Sequence, residues 1–330
     1  MAGWLVVLLK IVAMFLVIMA GWLARRRDFI TGETTVTLSK FIVGLAMPAL
    51  VFISMLTTVT PATIGQDWYL PLIGAGLIIV GLSVGWAVMP FFRLGDLRPT
   101  FLFLIAIANW VYLPLPIVDA LYGIEGVRVV LLFNVGAQLM LWTVGVWTLR
   151  GGKPDRESIT EVLTNAGIIA AAVGILLALL FPVMHTLGDA QPAGTFALVA
   201  APFYQAIKMI GDLTIPLALV VTGAQLGGLR FSEHRPTPAL YGVLGARLLL
   251  APLALAAIFI GFAALGWRLP EIPRLVSYII IAMPVAISCS IFTERFGGDT
   301  SLAARAVFYS TLLSIVTVPA IFFLVQKAGL

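Results

Sequence analysis

The sequence predicts an all-α polytopic membrane protein: ten transmembrane helices arranged as two inverted five-helix repeats, with the fourth and ninth helices broken. Three observations lead there. Of 330 residues, 61% are hydrophobic and only 11% charged, whereas a soluble domain carries about 25% charged residues. That much apolar surface exceeds what the interior of a globule can hold, so the surrounding solvent is lipid. Apolar runs of membrane-spanning length recur ten times along the chain, and matched residues recur between its two halves at constant offsets.

A transmembrane helix needs about 20 mostly apolar residues. Such runs lie at 4–24, 35–57, 69–92, 99–122, 127–149, 162–184, 200–227, 238–265, 272–294 and 303–326. The first reads as a span and not as a signal peptide, because its cluster Arg25-Arg26-Arg27 follows the apolar run in a stop-transfer arrangement. The connections are short, the longest polar one being "RGGKPDRESITE" at 150–161. Basic residues then orient the bundle. Twelve lie in the odd-to-even connections and four (Arg128, Arg268, Arg274 and Lys327) on the opposite side. This predicts a multi-pass protein of the cell (inner) membrane, with both termini outside and the 150–161 connection cytoplasmic. The remaining four, Lys10, Lys40, Lys208 and Arg247, fall within spans.

The repeat is read from spacing. In "LSKFIVGLAMPALVF" Lys40 precedes Pro48 by eight residues, and in "FYQAIKMIGDLTIPLALVV" Lys208 precedes Pro216 by eight, both pairs at an offset of 168. The fourth and ninth spans end in "LYGIEG" and "RFGGDT", matching Gly123 with Gly297 and Glu125 with Asp299 at an offset of 174. The division expected is a first five-helix repeat over 1–149, the connection 150–161, and a second repeat over 162–330. Five spans per half is an odd number, so the second half enters the membrane upside down, a signature of secondary transporters.

The broken helices carry the candidate site. In "IANWVYLPLPIVDALYG" Pro114 and Pro116 remove backbone donors and clash with the preceding turn, which predicts an interruption with Asn109 just before it. In "IIAMPVAISCSIF" Pro284 lies at a comparable depth, followed by Ser288 and Ser290. Unwound backbone at membrane depth survives only when buried in protein or lining a water-filled cavity. Two such helices in corresponding positions point to a transporter binding site. Freed N–H groups and the positive ends of half-helices favour an anion, and the Asn109 amide adds a donor to a carboxylate or an acceptor to its protonated form.

Charges inside spans are functional hypotheses in their own right. Lys208 and Asp212, four apart on one helix face, are placed to pair. With Asp119, ten residues past Asn109, they are the candidates for coupling or charge tuning. Lys10 and Lys40 lie within snorkelling reach of helix ends. Arg247 sits nearer the middle of the eighth span and needs a partner that the sequence does not name. Asn134 and Gln138 form an i, i+4 polar pair on the fifth helix. One cysteine, Cys289, allows no intrachain disulfide, and His185 and His234 fall in polar connections, so neither a metal nor a cofactor is expected. Nothing resembles a P-loop, a Ser/His/Asp set or an HExxH motif, so ATP-driven pumping and hydrolysis have no support here. Nucleic acid is excluded as a partner by the same composition.

"LSKFIVGLAMPALVF", "IGDLTIPLALVVTGAQLGG" and "IAMPVAISCSIFTERFGGDTSLAARAVFYSTLLSIVTVPAIFFLV" resemble the auxin efflux carrier family, whose plant branch includes the PIN proteins. "ANWVYLPLPIVDALYG" looks like that family's asparagine-containing crossover segment. The resemblance extends over nearly the whole chain, and its most specific part is the seventh-span motif with Pro216, Gly223, Gln225 and Leu226. It implies a fold like that of bile-acid and sodium symporters, a scaffold region, a transport region in which helices 4 and 9 cross, and a homodimer. It further implies organic anions such as malate, malonate or auxin-like weak acids as cargo. Trp110 and Tyr112 depart from the small residues that usually follow the family's asparagine; they could narrow the cavity or stack on an aromatic acid. The third span also lacks the central carboxylate of the plant carriers.

The expectation that results is a secondary carrier of small organic anions working by alternating access. Asn109, Trp110, Tyr112, Pro114, Pro116, Pro284 and Ser288 would form its substrate site. Coupling to H+ or Na+ stays open, and the alternatives are a symporter or antiporter of another solute class, or a channel or sensor on the same fold.

Overall fold

The computed structural model describes residues 3–111, 113–151, 164–188, 194–228 and 237–328. The 150–161 connection therefore lies almost wholly outside the described residues, as do Tyr112 and His234. Among the described residues the chain is helical and forms no strand, only one isolated bridge between Ala108 and Val285. Six helical runs among the described residues are long and apolar enough to cross a membrane: Gly32–Thr58, Pro61–Phe91, Pro114–Leu149, Leu198–Gly228, Pro238–Ala264 and Thr300–Ala328. Large apolar side chains such as Leu72, Leu253 and Val316 stand exposed on them, where in a membrane they meet lipid instead of water. The molecule is a multi-pass membrane protein.

Taken in chain order, the ten predicted runs have the following helical forms. The first is α1 (Gly3–Arg26), and the second joins α2 (Gly32–Phe41) to α3 (Met47–Thr58) through a π turn at Ile42–Ala46. After α4 (Pro61–Asp67) and α5 (Leu70–Val88), the fourth span is split into α6 (Arg98–Ala106) and the start of α7 (Pro114–Met140). A second π turn, Leu141–Gly145, leads into α8 (Val146–Leu149). The sixth is a shorter helix, α9 (Ala166–Leu180), capped by the Asn165 side chain, which accepts from the N–H groups of Gly167 and Ile168. The seventh is α10 (Gly194–Asp212) followed by α11 (Thr214–Gly228). The eighth joins α12 (Pro238–Gly245) to α13 (Ala251–Ala264) through a third π turn, Ala246–Leu250. The ninth is split into α14 (Glu271–Ile281) and α15 (Ser288–Phe296), and the tenth is α16 (Thr300–Ala328).

Packing sorts these helices into two groups. In one, α1 lies along α11 while α3 lies against α9 and α10; in the other, α5 packs on α6 and α7, α14 on α7, and α15 and α12 on α16. They meet along α1, α3 and α7. Close approach inside the first group is made at glycines. A Cβ on Gly21 would collide with the Val220 carbonyl, and one on Gly174 would stand 2.9 Å from the Phe52 oxygen. Phe52 and Val220 are themselves 168 apart, the offset that separates Lys40 from Lys208. In the second group, Gly123 turns α7 with φ 57 and ψ −150, and Gly297 ends α15 with φ 85 and ψ 148. Both occupy a region of backbone space that belongs essentially to glycine.

Candidate functional site

The site is built where both broken helices have lost their backbone ladders. α6 stops at Ala106 and α7 starts at Pro114; α14 stops at Ile281 and α15 starts at Ser288. The two unwound stretches meet antiparallel. The Asn109 N–H donates to the Pro284 carbonyl at 2.8 Å, and the Ala286 N–H donates to the Ile107 carbonyl at 3.1 Å. The crossing is thus a two-bond scrap of sheet inside a helical protein. Each strand supplies the hydrogen bonds that its neighbour's broken helix no longer can, which buried backbone groups require.

Side chains add further bonds at the crossing. The Val285 N–H donates to Ser310 Oγ on α16 at 3.1 Å, and the Cys289 thiol points to the Ile107 carbonyl at 3.8 Å. Arg247, in the π turn between α12 and α13, is 1% exposed. Its NH1, NH2 and Nε donate to the carbonyls of Ile105 (2.8 Å), Ile281 (2.6 Å) and Met283 (3.1 Å). A π turn widens the helix by one residue, a distortion frequent at functional sites. Here it carries the guanidinium to the ends of both broken helices.

Most of the predicted site residues come together at this point. Asn109 is 3% exposed and lies inside the unwound stretch, whereas the sequence placed it just before the break. The reason is that the two prolines do not end a helix; they open the next one. Pro114 takes the first position of α7, where a missing N–H costs nothing, and a helix continued back from there would clash at residues 110 and 112. Trp110 is half-buried, and its indole Nε1–H is buried without a hydrogen-bond partner. Pro284 is buried in the ninth-span stretch, Pro116 is half-buried near the start of α7, and Ser288 opens α15. Tyr112 lies outside the described residues.

The charged candidates sit elsewhere. Lys208 Nζ and Asp212 Oδ2 form an ion pair at 2.7 Å, with their side chains 43% and 56% exposed, at the end of α10 where the chain breaks at Leu213. Asp119 is exposed on α7. Sequence reasoning flagged Arg247 without its role, and it missed Ser310, for which the sequence carries no signal. A cavity of about 1500 Å3 opens between α5, α13 and α14, walled by side chains such as Leu72, Val80 and Phe259 together with Asp67, Arg128 and Arg274. Among the described residues, none of the predicted site residues lines it.

Comparison with known proteins identifies relatives of the chain. The model of a family described as "Membrane transport protein" matches residues 6–166 and 159–322. An uncharacterized transporter of Methanothermobacter thermautotrophicus is 24% identical over 319 residues, which cover 94% of this chain and 95% of that protein.

Proposed function

The chain belongs to the membrane transport protein family, that of the auxin efflux carriers, and from that premise we propose that it is a secondary carrier of small organic anions working by alternating access. The single observation that carries this reading is the pairing of two unwound segments through Asn109 and Ala286, with a buried asparagine and an unpaired indole N–H beside it. Broken helices in transporters put half-helix ends at the substrate. Here the N-terminal ends of α7 and α15 and the Asn109 amide would hold a carboxylate, with Trp110, Tyr112, Pro114, Pro116, Pro284 and Ser288 around it. The division into two packing groups suits a region carrying the crossing that moves against α1, α3, α9, α10 and α11.

The ten-span, inverted-repeat architecture over 1–149 and 162–330 is part of the same proposal. It is supported by the shared glycine-only conformation of Gly123 and Gly297, 174 apart. It is supported also by the contacts of Gly21 with Val220 and Gly174 with Phe52. We place both termini outside the cell membrane from the basic-residue count, assign a homodimer from the family resemblance, and retain Lys208, Asp212 and Asp119 as coupling candidates with H+ or Na+.

The test is reconstitution in proteoliposomes with labelled acetate, malonate, malate and indole-3-acetate, comparing wild type with Asn109→Ala, with and without a sodium or pH gradient. Saturable uptake of particular acids that the mutation abolishes is the expected result. Uptake indifferent to Asn109→Ala removes the asparagine from the site, and no uptake of any acid removes the carboxylate reading.

A further inference from the structure

The carbonyls that Arg247 satisfies are the ones the breaks leave orphaned. In a continuous helix the Ile105 oxygen would accept from the Asn109 N–H and the Ile281 oxygen from the Val285 N–H. Asn109 instead donates to Pro284 and Val285 to Ser310 Oγ. The guanidinium takes both vacant places at once, through NH1 and NH2. No carboxylate pairs with it among the described residues, where its three hydrogen bonds all go to backbone carbonyls. A fully buried cation is therefore held by the negative ends of two helices.

That arrangement sets the sign of the field. Each helix terminus carries about half an elementary charge, positive at the N-terminal end and negative at the C-terminal end. Four termini converge on the crossing, so without Arg247 the two C-terminal ends would offset the two N-terminal ends and leave no preference for an anion. With Arg247 against α6 and α14, the C-terminal ends are neutralised and about one positive charge remains at the starts of α7 and α15. We infer that Arg247 is the positioning residue that makes the crossing anion-selective and matches it to a single carboxylate group. This rests on the organic-anion reading above.

The experiment measures uptake of the same four acids in proteoliposomes for wild type, Arg247→Lys and Arg247→Met, with the neutral amide of each transported acid as competitor. Thermal melting of each purified variant is followed in parallel. Both variants lose carbonyl bonds and melt lower, but only Arg247→Met loses the charge. The expected result is an acid KM raised about tenfold in Arg247→Met and held within about threefold in Arg247→Lys. Competition by the neutral amide strengthens relative to the acid in Arg247→Met alone. If both variants lose kcat equally while KM and the acid-to-amide preference stay at wild-type values, Arg247 only holds the helix ends together and the inference fails. If Arg247→Met does not fold, Arg247→Gln takes its place under the same criteria. Wild type that transports none of the acids overturns the anion reading itself, and this inference with it.

Discussion

The backbone N–H of Asn109 lies 2.8 Å from the carbonyl oxygen of Pro284, so the residue expected to recognise cargo also holds the two broken helices together. Its counterpart across the bridge is Ala286, which donates to Ile107. The crossing is symmetric in its backbone and asymmetric in its side chains: one arm offers an amide, the other a methyl group. Substituting the Asn109 side chain leaves the backbone bond in place, so the chemistry of the site and its construction can be tested separately.

Asn109→Asp should put a second negative charge where the cargo's carboxylate binds. Like charges held close at this depth repel strongly, so uptake of the acids should fall about tenfold or more. Uptake held at the wild-type level would contradict placement of the carboxylate beside this residue.

Gly123→Ala and Gly297→Ala should each destabilise the protein by about 1–3 kcal/mol, the cost of holding an alanine at such angles. Nothing lies within 4 Å of a Cβ at either position, so the cause is backbone conformation and not a clash. Gly76→Ala is the control. Its Cβ also meets nothing within 4 Å, but it lies within helix α5, where alanine is favoured over glycine by about 0.5–1 kcal/mol. Thermal melting in detergent should therefore shift down for the first two and level or up for the third.

Gly21→Ala should force α1 away from α11, since the new methyl group would overlap the Val220 carbonyl. Overpacking of this kind costs about 1–3 kcal/mol. Gly174→Ala, where the Phe52 oxygen is 2.9 Å from the new Cβ, should be milder. Melting of the two single variants and their double would show near-additive losses, because the two contacts share no residue.

Asp67 and Arg128 form an ion pair at 3.1 Å with side chains 14% and 17% exposed, and Arg128 also donates to the Thr58 carbonyl at 3.3 Å. Arg128→Ala should cost more than Asp67→Asn, because it removes both the ion pair and the bond to the Thr58 carbonyl and leaves the Asp67 carboxylate unpaired. A double-mutant cycle on melting free energy should give a coupling of about 1–3 kcal/mol, well above the value for an exposed pair. Coupling near zero would place this pair with the surface ion pairs.

How far the chain could be read in advance differs from element to element. The breaks at Pro114 and Pro284 were legible because proline's missing donor is a local property. The position of Asn109 within the break was not, because the end of α6 depends on hydrogen bonds to residues 142 and more positions away. The pairing of Lys208 with Asp212 followed from helical spacing. The partners of Arg247 did not, since they are backbone carbonyls from two other helices and carry no side-chain signature.

The sequence by itself determined that the protein lives in lipid, that it crosses the membrane many times, that two of its helices break, and which family it belongs to. Hydropathy, proline chemistry and motif spacing act over a few residues, so they can be read from the chain alone. Only the tertiary structure decided that the two breaks meet, that Asn109 and Ala286 stitch them, and that the Arg247 guanidinium lies against the ends of both broken helices. In a protein interior a lost backbone hydrogen bond must be replaced by whatever group folding brings nearby, and only the fold specifies which group that is.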